Sequence, residues 1–262
     1  MQLALSTSAQ VAQYLERSRT IVLPLGSTEQ HGPVGLIGTD SLCAETIARQ
    51  LGQQKGVLIA PTLAYTVAKF NLEFPGTIAV RASTLLALIL DMLHALADQG
   101  FDRIYCLNGH GANIGVARAA FQDFYLERAR MPGARMARCR LRSWWEYPQV
   151  DQLRRGWYGA NEGLHATPSE VAIAMVAAPE AAERARAEGE SQAREAPAVL
   201  DAAFLRNHGG DNHFDRRAHR EAFPDGRVGS HSLLATREQG EALIAAAVSD
   251  AAQDLAAFEA ER

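Results

Sequence analysis

Glu29 and His31 stand two residues apart in Gly26-Ser27-Thr28-Glu29-Gln30-His31-Gly32-Pro33; Asp40 follows nine residues later, and His110 lies in Asn108-Gly109-His110-Gly111-Ala112-Asn113. Two carboxylates and two imidazoles, with no cysteine among them, are donors that zinc, manganese and similar divalent ions accept. A catalytic ion of this kind keeps an open position, polarises a carbonyl and lowers the pKa of bound water toward about 7. Amide hydrolysis needs both effects.

Plainer readings exist for each residue. Asp40 suits the N-cap of a helix, Glu29 an exposed charge, and His110 a loop anchored to backbone. In His165-Ala166-Thr167-Pro168-Ser169-Glu170, Thr167 as N-cap, Pro168 at the first helical position and Glu170 three residues after the cap match a capping box. The metal reading rests on Glu29, His31, Asp40 and His110 meeting at one place, and the fold must bring them there.

Short β-branched apolar runs alternate with longer helical patterns, which predicts a mostly parallel sheet with helices on both faces. Strands are expected at residues 20–25, 57–60, 77–80, 103–107 and 134–144. Helices are expected at 40–51, at 83–99 with Gly100 as the C-cap, from 113 to about 130, at 169–176, and at 237–258. An irregular stretch is expected up to His165, a solvated helix or connection at 180–195, and a polar loop at 207–227. Glu29 and His31 then follow the first strand, Asp40 opens the next helix, and His110 follows the strand at 103–107. In an open α/β sheet, ligands bind outside these carboxyl ends.

The chain has 262 residues, 47% of them hydrophobic and 21% charged, with a net charge of −4. That is enough to bury a sizeable core, and one domain over residues 1–262 is the expectation. The charge balance disfavours nucleic acid and anionic membranes as partners and favours small or neutral ones; with the metal chemistry above, a small-molecule amide substrate is the expectation. Cys43, Cys106 and Cys139 are odd in number and lack paired spacing, which argues against a disulfide framework. No signal peptide or stretch approaching about 18 apolar residues is present, so a cytoplasmic location is expected.

Leu25 to Pro33 with Gly38-Thr39-Asp40, then Phe74-Pro75-Gly76-Thr77, then Asn108 to Asn113, then His165 to Glu170, occur in the order of the signatures of the creatininase (creatinine amidohydrolase) family, which the chain resembles. The resemblance implies a three-layer α/β/α sandwich and homohexameric assembly. It also implies two ions per protomer, zinc or manganese: Glu29, Asp40 and His110 hold one, while His31 and a bridging Asp40 hold the second. The creatinine-cleaving branch completes the coordination of the second ion with a glutamate where this chain has Ala112. Glu170, matching a family glutamate, is the candidate for the vacant place and a candidate catalytic residue. His165 matches a family active-site histidine and is the candidate for proton transfer to the leaving nitrogen.

Asn71 stands where many relatives carry histidine and is read as a substrate contact. Trp144 and Trp145 are read as candidate aromatic walls, with one of the two facing inward if they lie on a strand. Asn108 and Asn113 are expected to orient His110 or cap the helix after it. His208, His213, His219 and His231 are read as a solvated or intersubunit segment within the His-rich residues 207–231. The expected activity is hydrolysis of a cyclic amide or formamide; peptide trimming and a non-catalytic metal-binding role are the alternatives. A single ion on Glu29, Asp40 and His110, with His31 as acid or base, is the nearer variant.

Overall fold

The computed structural model describes residues 1–201, 203, 204 and 215–261. Its sheet has the order β2-β1-β3-β4, with β1 (Thr20–Leu25), β2 (Leu58–Ile59), β3 (Arg103–Asn108) and β4 (Arg138–Ser143) all parallel. Alternate side chains divide between two cores. Ile21, Leu23, Leu25, Ile104 and Cys106 pack on one face, and Val22, Tyr105 and Leu107 on the other. The first face meets α1 (Ser8–Arg17), α3 (Ala82–Gln99) and α4 (Asn113–Arg130); the second meets α2 (Thr39–Lys55), α6 (Pro168–Ala177) and α9 (Arg237–Ala260). This is the expected three-layer sandwich. α5 (Pro148–Tyr158), α7 (Pro179–Ala193) and α8 (Arg216–Ala222) complete the helices among the described residues.

Register places the strand ends in a row, with Leu25 opposite Asn108 and Asn108 opposite Ser143. The chain leaves β1 toward β2 on one side and returns to β3 on the other. The crevice between the loops after β1 and β3 is therefore the switch point, where an open parallel sheet offers room for a ligand. Gly100 ends α3 in the left-handed conformation at φ +107°, as the C-cap reading expected.

Several expectations need correcting. Residues 77–80 form no strand; Ile78 makes one isolated bridge to Thr28, and Val80 N–H donates to the Thr66 carbonyl, so the segment braces the loop after β1. The stretch before His165 contains α5, which Pro148 opens at its first turn and whose Val150, Leu153 and Tyr158 turn inward. α8 lies within residues 207–227, and its His219 is buried, so that part is not a solvated loop. His208 and His213 lie outside the described residues. Trp144 and Trp145 begin a 3-10 turn (Trp144–Glu146) after β4 has ended, so strand alternation does not govern them.

Candidate active site

Gly26 opens the loop after β1, and a Cβ there would lie 2.5 Å from the Ser41 Cα, so only glycine lets this loop run against the start of α2. The Gly26 carbonyl accepts from Thr66 Oγ1 and from Asn113 Nδ2, both at 2.9 Å, which ties the loop to α4. Glu29 N–H donates to the Ile37 carbonyl at 2.9 Å and closes the loop on itself. Across the switch point, a Cβ on Gly109 would lie 2.2 Å from the Asp40 carbonyl oxygen. Glycine at this position lets the loop after β3 touch α2 and brings His110 beside Asp40. Asn108 holds the His110 backbone twice, accepting from its N–H at 3.1 Å and donating to its carbonyl at 2.8 Å. Asn108 thus orients His110, while Asn113 secures the neighbouring loop.

Glu29, His31, Asp40 and His110 converge, each no more than 5% exposed. His110 Nδ1 lies 3.0 Å from Glu29 Oε1 and 3.1 Å from Asp40 Oδ2. His31 Nε2 lies 3.0 Å from Asp40 Oδ1. Glu29 Oε1 and Asp40 Oδ2 are buried, share that one His110 nitrogen and receive no other hydrogen bond, a costly arrangement unless a cation answers them. Asp40 is not the N-cap of α2, because that place belongs to Gly38. Carboxylate and imidazole atoms fall into three groups, each within 4.8 Å: Glu29, Asp40 and His110; His31, Asp40 and Glu170; Glu29, His31 and His165.

Backbone carbonyls orient the rings. His110 Nε2 is 2.8 Å from the Val67 carbonyl, and His31 Nδ1 is 3.1 Å from the Glu29 carbonyl. A carbonyl only accepts, so these nitrogens carry hydrogen and the opposite ones face the carboxylates. His165 Nε2 likewise donates to the Gln30 carbonyl at 2.7 Å and leaves Nδ1 3.7 Å from Glu29 Oε1. Glu170 does form the capping box, with Oε2 accepting from Thr167 N–H at 2.8 Å, yet a carboxylate oxygen also reaches the His31 and Asp40 group. A carboxylate has lone pairs enough for both, so the capping reading and the ligand reading are compatible.

Burial opposes charge throughout the cluster, and the partners overcome it. Burial lowers and Asp40 raises the His31 pKa, to about 10 on balance. His110 is likewise raised, against burial, by Glu29 and then Asp40. Burial would raise the Glu29 and Asp40 carboxyls, but neighbouring imidazoles hold both below their ordinary values. Burial lifts Glu170 to about 7. Burial and His31 push His165 down to about 4.

The cluster opens into a cavity of about 820 Å³ whose wall includes Trp144, Trp145, His165 and Glu170. Both tryptophans line it, where only one was expected. Asn71 does not. It is fully buried behind the cluster, donates to Glu29 Oε2 at 2.9 Å and accepts from Gln30 Nε2 at 2.8 Å. Its place is that of a positioning residue, with its amide used by protein partners. Gln30, Lys69, Phe70 and Arg154 also surround the site, and the sequence reading did not single them out; His219, read there as part of a solvated or intersubunit segment, lines the cavity as well. For Arg154 a signal existed in the helical spacing of α5.

A family model described as "Creatininase: Creatinine amidohydrolase" matches residues 4–255. A mycofactocin precursor peptide peptidase of Mycobacterium ulcerans (strain Agy99) is 34% identical over 135 residues, covering 48% of this chain and 52% of that protein. A creatinine amidohydrolase of Pseudomonas putida is 26% identical over 132 residues, covering 48% and 50%. These matching stretches span about half the length of the curated relatives. A solved structure titled "Creatininase Mn" superposes with a TM-score of 0.79 at 19% identity, covering 99% of each chain.

Proposed function

We propose, from the premise that this chain belongs to the creatininase (creatinine amidohydrolase) family, that it is a divalent-metal-dependent hydrolase of carbon–nitrogen amide bonds. The observation that carries this reading is the pair of buried oxygens, Glu29 Oε1 and Asp40 Oδ2, which share one imidazole nitrogen of His110 and receive no other hydrogen bond. The donor set suits zinc or manganese, and the related structure whose title names manganese supports such an ion. Glu29, Asp40 and His110 would hold one ion; His31, a bridging Asp40 and Glu170 would hold a second. When bound, a divalent ion supplies Lewis acidity toward the amide carbonyl and lowers the pKa of water toward about 7.

The protein's own groups carry the rest of the chemistry. Water adds its oxygen to the carbonyl carbon, the carbon–nitrogen bond breaks, and the water's protons are shared between the acid and amine products. His165, neutral at pH 7 and anchored through Nε2, presents Nδ1 as the lone pair that takes up a proton and returns it to the leaving nitrogen. Trp144 and Trp145 flank the substrate. The substrate is a cyclic amide or a formamide. A short peptide is the second reading, favoured by the size of the cavity and by relatives named as precursor-peptide peptidases. Association as a homohexamer belongs to the same proposal.

The test is a hydrolysis panel of lactams, formamides and dipeptides with zinc- or manganese-loaded protein, beside metal analysis. Turnover that chelation abolishes and metal restores is the expected outcome. A folded protein that takes up neither ion, or a loaded one that hydrolyses no member of the panel, refutes the reading.

A further inference from the structure

This inference rests on the hydrolytic reading above and narrows its substrate. The cavity of about 820 Å³ falls in the upper part of the range, about 300–1,000 Å³, that holds drug-sized ligands. Phe70, Trp144, Trp145 and Leu164 supply an apolar wall, and two cations outside the metal cradle, Lys69 and Arg154, share it.

Arg154 is held rigidly. Its Nε donates to Oε1 of the buried Glu162 at 2.7 Å and to Ser169 Oγ at 3.3 Å, and its Nη1 donates to the Trp145 carbonyl at 3.0 Å. The guanidinium carbon lies 5.8 Å from the Trp144 ring centroid, which supports the plane from one side. Nη2 has no acceptor among the described residues, although the side chain is only 16% exposed and lines the cavity. A guanidinium fixed on one edge and open on the other is a preformed receptor for a carboxylate, whose oxygens match its N–H geometry. Glu162 neutralises much of the Arg154 charge, so Arg154 contributes directed donors. Lys69, exposed and without an ion pair among the described residues, contributes positive potential.

From this geometry we infer that the substrate is an amide bearing an apolar body and a free carboxylate, and that Arg154, assisted by Lys69, determines specificity by holding that carboxylate. Calorimetry on metal-loaded protein with 3-phenylpropionate and 3-phenylpropionamide tests this directly. Wild type should prefer the carboxylate by about tenfold, as a charge-assisted hydrogen bond predicts. The paired variant Arg154→Met with Glu162→Gln removes both charges together, so neither is left buried alone. In it the preference should fall to within about twofold, and in Lys69→Met, an exposed change that keeps the fold, by about threefold.

Equal binding of the two ligands by wild type overturns the inference. So does failure of both to bind, or a preference that survives in the paired variant, which would place the carboxylate on the metal instead. Loss of all amide hydrolysis with the binding preference intact would count against the hydrolytic reading alone.

Discussion

Every ring in the cluster is turned by an oxygen that can only accept a proton: Val67 carbonyl for His110, Glu29 carbonyl for His31, Gln30 carbonyl for His165. The consequence is that the opposite ring nitrogens and the carboxylate oxygens are preorganised toward one space. Asn71 completes that arrangement by holding Glu29, so Asn71→Ala should weaken metal affinity about 10–100-fold in a chelator competition, the usual cost of losing a partner behind a ligand. His165→Ala should keep metal content and lower kcat by about 10²–10⁴-fold; loss of metal instead would make His165 a ligand. The convergence of Glu29, His31, Asp40 and His110 was legible because their residue types are distinctive and three of them follow predicted strands while Asp40 opens the next helix. Asn71 and Gln30 were misjudged or missed because an amide takes its meaning from partners far along the chain, and Arg154 because the helix that carries it, α5, was passed over. Asn71 and Glu29, for instance, are 42 residues apart.

Elements position these side chains through close backbone approaches. Gly109→Ala would push its new methyl into the Asp40 carbonyl and part the two halves of the switch point. Overpacking of this kind costs about 1–3 kcal/mol, which for a chain of this size lowers Tm by about 2–12 °C. Scanning calorimetry checks the shift, and metal analysis should show a parallel loss of binding. The layers, the α3 boundaries and the Gly100 cap were readable from periodicity and punctuation. α5 was passed over because its polar residues obscured the spacing of Val150, Leu153 and Tyr158. Residues 77–80 looked like a strand because β-branched residues also suit an extended brace that makes only one bridge.

For the molecule as a whole, the metal-free site is held together by protons standing in for cations. His31 and His110 are raised above the unfolded value near 6.5. Their ion pairs therefore contribute stability that is fully present below that value, and the His31 share is lost as pH rises through about 10. Glu29 and Asp40, lowered, contribute stability present above their unfolded values and lost in acid. Metal must displace the protons on His31 and His110 and the partial proton on Glu170, so loading at pH 7 should release about two to three protons per protomer, read as acidification of a weakly buffered solution. Uptake without proton release contradicts the ligand assignment. With metal at about 1,000 times its Kd, stabilisation of about 4.1 kcal/mol should raise Tm by about 8–16 °C over the chelated protein.

Anomalous diffraction from crystals grown with zinc or manganese tests the central claim most directly. The account predicts a peak about 2.0–2.2 Å from His110 Nδ1, Glu29 and Asp40, and a second beside His31 Nε2, Asp40 and Glu170. Crystals that carry the metal elsewhere, or that show no peak among these side chains at saturating metal, would contradict it.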